Sequence, residues 1–429
     1  MGKVARRCAL GAVLVTVAGP AIAAPDEIQV LREIIHLACP FQIANEAIGL
    51  EDRLTGFLEV RAEPRNVDLI GWRARYAVEG GEVTVERIAP GGELASVSAV
   101  FRGDSEDHPG LVAVADFTCT IQRARRVRYD PSGEPVSLQR LDAAFEPIGA
   151  AVPFNPPVPD GVDPGGVAVA MIDTGVNYLL PAIAAHLARD DAHGILGYDY
   201  WDLDRRPFDV ESVRSNFFPF RHGTRTASIV IAAAPVVRLI PYRYPRPDMA
   251  RMAELIDHAA SHHVRLVNMS LVSRDSGRWS AYQAAVRRHD TMLFIVAAGN
   301  KRRDLDRVPM YPAALPLANQ LTVTAATPDG RLLHNANWGR ESVDLMVPAQ
   351  DLPVIGFEGT VERVSGSSYA AARVTALAAC MLVSNPAWGS QRLRAEIVRL
   401  ATPSADSARV MHGFIADRSL ADRGACGQR

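Results

Sequence analysis

Residues 167–175, VAVAMIDTG, decide the reading of this chain. Six apolar residues in a row, with no polar alternation, suit a strand buried on both faces, as in a parallel sheet. The run ends on Asp173, and Thr174 and Gly175 then allow a sharp turn, so a carboxylate is delivered at the end of a buried strand. Further strands are expected at 236–242, 264–269, 292–298 and 321–325, alternating with helices that begin near His222, Asp248, Arg278, Ser368 and Gln391. This alternation predicts an α/β fold, a doubly wound, mostly parallel sheet with helices on both faces. Such sheets bind ligands beyond the carboxyl ends of their strands. Asp173 falls there, and so, nearly, does Asn300.

Three more segments carry chemistry. His222 in RHGTRTAS opens a buried, small-residue helix, and a histidine suits general-base work because its ordinary pKa lies near neutrality. Ser368 in SGSSYAAARV heads an alanine-rich helix, where unpaired N–H groups and positive potential favour a nucleophilic oxygen. Asn300 closes FIVAAGN, and its amide can donate to an oxyanion. Each has a plainer reading alone: a turn acid, one of 11 histidines, a helix cap with Ser365 and Ser367 as rivals, a turn asparagine. An aspartic dyad of Asp173 with Asp275 is a poor fit, because LVSRDSG lacks the apolar strand that a paired aspartate needs.

Taken together and in the order Asp, His, Asn, Ser, the four segments resemble the subtilisin-like serine proteases, whose triad runs in that chain order. The resemblance covers roughly residues 166 to 400. It implies a serine endopeptidase acting through a Ser368 acyl-enzyme, with His222 as base then acid, Asp173 orienting it and Asn300 in the oxyanion hole. It also implies that Ser270, Leu271 and Val272 pair with an extended protein or peptide substrate, and that Ala297, Ala298 and Gly299 line the first pocket. The chain departs from the family pattern at Arg225, Ser228, Val272, Ala372 and Arg373. Those departures leave a second reading, a catalytically inactive binding protein of the same fold. Calcium sites are frequent in such proteins, but no motif locates one here, and no cofactor is expected.

Outward from this core, residues 1–23 have the layout of a secretory signal peptide: Lys3, Arg6 and Arg7, an apolar run, then Ala21-Ile22-Ala23. The expectation is export to the periplasm or beyond, as a monomer without a membrane anchor. Residues 24–148 read as a small β-rich domain of short alternating runs, either a propeptide or a permanent accessory module. Residues 149–165 hold five prolines and read as a linker, with the catalytic domain from 166 to 429. Loss of Cys8 with the leader leaves Cys39, Cys119, Cys380 and Cys426 in an oxidising compartment. Four cysteines allow three pairings, of which domain logic favours Cys39 with Cys119 and Cys380 with Cys426; Cys380 also reads as a buried apolar helix residue. The formal charge is −2 and falls to −5 without the three basic leader residues, so no nucleic-acid partner is implied. His258 and His262 have metal-ligand spacing, but no glutamate follows His258 as a hydrolytic zinc motif requires.

Overall fold

The computed structural model describes residues 27–39, 57–61, 71–78, 80–417, 420 and 426, so the leader lies outside the described residues. The chain divides into two compact units, Met1–Val152 and Pro153–Arg429.

In the first unit, strands β1 (Phe57–Arg61), β2 (Gly71–Val78), β3 (Gly81–Ile88), β4 (Ser96–Gly103), β5 (Leu111–Asp116), β6 (Ile121–Tyr129) and β7 (Pro135–Leu141) pair in chain order, each antiparallel to the next. Alternate residues such as Val83, Val85, Val97, Ala99, Leu111 and Ala113 point into one core. Helix α1 (Glu27–Ala38) covers that face with Leu31, Ile34, Ile35 and Ala38. Their i, i+3, i+4, i+7 spacing is a helical signal in EIQVLREIIHLA that the β-rich reading overlooked. Cys39, just past α1, is bonded to Cys119 in the β5–β6 turn, Cα–Cα 5.9 Å.

A two-residue strand, β8 (Val152–Pro153), marks the boundary. The proline-rich segment after it is not a free linker. Residues 153–165 belong to the second unit and are pinned along it: Tyr178 Oη donates to Pro156 O at 2.6 Å, Arg189 Nη2 to Pro159 O at 2.8 Å, and Arg238 pairs with Asp163 at 3.0 Å. Proline removes donors but leaves carbonyls, and those carbonyls are what the unit grips.

The second unit is built on a parallel sheet in the order β10 (Tyr198–Asp199), β11 (Val237–Arg243), β9 (Val167–Asp173), β12 (Leu266–Met269), β13 (Leu293–Ala297), β14 (Gln320–Ala326), β15 (Leu345–Pro348), β18 (Gly413–Phe414). All five expected strands are present to within two residues at either end. One face packs against α4 (Met252–Ser261) and α5 (Ser280–Arg288), joining Ala168, Ala170, Ile172, Val267 and Phe294 to Leu255, Ile256, Tyr282 and Val286. The other face meets α6 (Ser367–Ser384), beside α3 (Gly223–Ala233). Smaller elements are α2 (Pro181–Ala184), α7 (Ser390–Val398) and the hairpin β16 (Leu352–Ile355) with β17 (Val361–Val364). Helix α6 has the length and hydropathy of a membrane span, yet 83% of it is buried inside this unit. It is a core helix, and Cys380 on it is bonded to Cys426, Cα–Cα 5.0 Å. The chain runs from β9 to β11 on one side and then to β12 on the other, so Asp173 ends the strand at which the winding reverses. Truncating Ile172, which is fully buried there, would cost about 2–5 kcal/mol.

Candidate active site

Strand β9 ends in Asp173, which is 2% exposed. Its Oδ1 accepts the Thr174 N–H at 2.8 Å, its Oδ2 accepts the Thr226 hydroxyl at 3.2 Å, and His222 Nδ1 stands 2.8 Å from both oxygens. A carboxylate accepts, so Nδ1 carries the proton and Nε2 is left as a free base. Burial works against a charged ring, but the charge and hydrogen bond of Asp173 outweigh it and raise the His222 pKa above 6.5. The ring is flanked by Phe220, stacked at 5.5 Å between centroids, and by Tyr369 at 5.7 Å. Backbone sits directly on backbone where the two motifs meet: a Cβ on Gly223 would lie 1.9 Å from Gly175 O, so neither alanine nor anything larger fits at the head of α3.

Ser368 lies in the first turn of α6 and is 8% exposed. The three serines there separate cleanly. Ser365 Oγ accepts the Asp351 N–H and Ser367 Oγ accepts the Gly299 N–H, at 2.8 and 2.9 Å, whereas Ser368 Oγ has no partner among the described residues. Neither has the Ser368 N–H, while the Ser367 N–H donates to Asn300 Oδ1 at 3.0 Å. That bond fixes the amide of Asn300 with its oxygen occupied and its NH2 without a partner among the described residues. Gly366, at φ +145°, lets the amide lie close; a Cβ there would come 3.1 Å from Asn300 Nδ2. The donors left beside the Ser368 hydroxyl are its own backbone N–H and, held through the Ser367 N–H, the side-chain amide of Asn300, groups of the kind that can receive an oxyanion.

The departures from the family pattern are accommodated by specific contacts. Arg225 on α3 binds Glu362 of β17 through Nε and Nη2, both at 2.7 Å, and donates to Arg221 O at 2.6 Å. Ser228, one turn further, accepts the Ile355 N–H of β16 at 3.1 Å. Both therefore fasten α3 to the hairpin that leads into Ser368. Arg373 on α6 donates to Pro348 O at 2.6 Å and pairs with Asp417 at 2.5 Å, and Ala372 is fully buried.

Ser270, Leu271 and Val272 follow β12, and their main-chain groups make no backbone hydrogen bond among the described residues; Ser273 is the next to pair, with Tyr311. Ala297 and Ala298 are buried at the end of β13. Gly299 (φ +94°) faces Val272, whose methyl carbons would lie 3.4 and 3.7 Å from a Cβ placed on that glycine. Asp275, the rejected second aspartate, caps an exposed turn by accepting the Gly277 N–H at 3.0 Å. His258 and His262 stand 4.6 Å apart, ring to ring, but His258 Nδ1 is taken by Tyr242 Oη at 2.8 Å and burial pulls its pKa down to about 4. Among the described residues no three His, Cys, Asp or Glu side chains gather as a metal site.

One group has no counterpart in the sequence reading. Asp209, with no exposed surface, accepts the Thr174 hydroxyl at 2.5 Å and the His222 N–H at 3.1 Å on Oδ1, and the N–H (2.9 Å) and hydroxyl of Thr224 on Oδ2. It sits in RRPFDVES, a loop without periodicity or motif, so no sequence signal marks it.

The sequence profile of the subtilase family matches residues 165–414. The chain is 28% identical over 255 residues to alkaline serine exoprotease A of Vibrio alginolyticus, a match covering 56% of this chain and 43% of that protein, less than half its length. Among solved structures, a lanthipeptide protease superposes with a TM-score of 0.50 at 19% identity, covering 61% of this chain and 89% of its own. A subtilase cytotoxin structure gives 0.50 at 17% identity, covering 61% and 91%. These two likenesses concern the fold alone. With a profile match over more than half of its length, the chain belongs to the subtilase family of serine proteases.

Proposed function

We propose that this subtilase is an exported serine endopeptidase. The carrying observation is the pairing of a buried Asp173–His222 hydrogen bond with a Ser368 whose hydroxyl and N–H both lack a partner among the described residues. An extended substrate chain pairs with the open main chain of Ser270, Leu271 and Val272, and its side chain before the scissile bond enters the space by Ala297, Ala298 and Gly299. Ser368 Oγ attacks the carbonyl carbon while His222 Nε2 takes its proton, and Asp173 holds the ring and balances the imidazolium. The oxyanion is received by Asn300 Nδ2 and the Ser368 N–H. His222 returns the proton to the leaving amine; water, deprotonated in turn by His222, then attacks the acyl ester, and His222 gives that proton to Ser368 Oγ as the new acid leaves. No metal or cofactor enters this scheme. The apolar leader and the two cystines, Cys39–Cys119 and Cys380–Cys426, support export to an oxidising compartment.

The test is covalent labelling by a fluorophosphonate probe, with the adduct located by mass spectrometry and Ser368→Ala as control. Labelling confined to Ser368 is the expected result. No labelling, with the first unit both present and removed, would instead favour an inactive binding protein.

A further inference from the structure

His222 is the N-cap residue of α3, the position whose side chain ordinarily accepts the first free N–H groups of a helix. Its ring is committed to Asp173 and makes no cap bond. The cap is supplied from elsewhere. Asp209 accepts the N–H of His222 and of Thr224, and Thr174 Oγ1 accepts those of His222 (3.0 Å) and Gly223 (2.9 Å).

Proton bookkeeping then fixes the state of Asp209. Thr174 Oγ1 has two lone pairs, both filled by these N–H groups, so it can only donate, and Asp209 Oδ1 at 2.5 Å is far nearer than Asp173 Oδ1 at 3.4 Å. Thr224 Oγ1 already accepts the Asn177 N–H at 2.8 Å and gives its proton to Asp209 Oδ2. All four partners of Asp209 are therefore donors. A proton on Oδ1 would face only donors. One on Oδ2 could reach only Thr224 Oγ1, expelling a hydroxyl proton that has no other acceptor among the described residues. Burial pushes the carboxyl toward its neutral form, but the neutral form has nowhere to put its proton.

We propose that Asp209 is a second, ionised carboxylate beneath His222, a positioning residue that caps α3 in place of the histidine and stabilises its imidazolium together with Asp173. The charged groups around the ring are Asp173 at the end of β9, Asp209, and Arg225 on α3, which opposes both but is itself paired with Glu362 on β17. Tyr369 on α6 is neutral, its hydroxyl pKa pushed up to about 12 by burial. Asp209 has no cationic partner among the described residues, so its charge acts on the ring uncompensated except by the N-terminal end of α3.

The inference rests on the general-base role proposed for His222, and its test separates the two. The His222 titration is followed by NMR in the full-length Ser368→Ala protein, with and without Asp209→Asn, while the rate of fluorophosphonate labelling is measured against pH in the Ser368 protein with the same change. Loss of one charge near the ring lowers the histidine pKa by about one unit. The acid limb of the labelling profile moves to lower pH by the same amount, with a lower plateau. A plateau that falls with an unmoved midpoint would mean that Asp209 is only a helix cap, and overturns the proposal; so would no change in either. A shifted NMR titration in a protein that never labels keeps the charge assignment and removes the protease reading. Should Asp209→Asn fail to fold, the 13C carboxyl shift of Asp209 in the unsubstituted chain decides: a carboxylate at pH 7 is expected, and a protonated acid there refutes the assignment.

Discussion

Replacing Val272 by glycine should widen the range of side chains accepted before the scissile bond. In the proposed complex the substrate side chain enters beside Val272 and Gly299; a carbon on Gly299 would meet the Val272 methyls at 3.4 and 3.7 Å and Asn337 Nδ2, held by Ala298 O, at 2.8 Å, so Val272 is the apolar wall of that space and Asn337 its polar one. Removing the isopropyl group frees room for three carbons. A leucine or phenylalanine that fills this space buries up to about three more CH2 equivalents at ~0.8 kcal/mol each, so about 2 kcal/mol remains after incomplete filling. If that energy is expressed in the transition state, it corresponds to a roughly 30-fold change in kcat/KM. The assay is kcat/KM for a peptide series differing only in Ala, Leu or Phe before the cleaved bond, with the Phe-to-Ala ratio compared between the native chain and Val272→Gly. A ratio that rises by less than threefold, or rises for Ala instead, refutes the placement of Val272 in the wall of this pocket.

Three further outcomes are expected. Because His222 must be neutral to act as base and its pKa is raised above 6.5, kcat/KM should climb with pH through a midpoint above that value; a pH profile with a midpoint below 6.5 contradicts the Asp173 coupling. Arg225→Ala removes a half-buried ion pair and a carbonyl contact, so thermal unfolding should show a loss of about 1–2 kcal/mol, with Glu362→Gln costing less; the discount reflects the solvent still reaching both partners. Cys39→Ser opens a closure of 80 residues that ties α1 to its sheet, and should lower the stability of the first unit by about 2–4 kcal/mol, read from the denaturant midpoint with and without reductant.

The sequence made the second unit readable because its strands are unbroken apolar runs, and a strand buried on both faces needs no partner to be recognised. The four motif residues were readable for a related reason: each stands at the end of such a strand or the head of a buried helix. Less visible were elements whose stability comes from long-range contacts. Strand β15 is four residues long, and the β16–β17 hairpin, LPVI and VERV, is partly polar and held by Arg225 and Ser228 from 120 or more positions away. Asp209 was illegible because burial of a charge is a property of the fold around it, not of its neighbours in the chain. Helix α1 was legible by its spacing and missed because the strands around it dominated the segment.

The bonds made by Arg225 and Ser228 bear on any attempt to improve this protein by moving it toward its family's consensus. Removing the Arg225 guanidinium alone would strand Glu362, and removing the Ser228 hydroxyl alone would orphan the Ile355 N–H. Each single change is a step downhill in stability while this hairpin stays as it is. The two positions and the hairpin form one epistatic block, exchangeable with a relative's only as a whole.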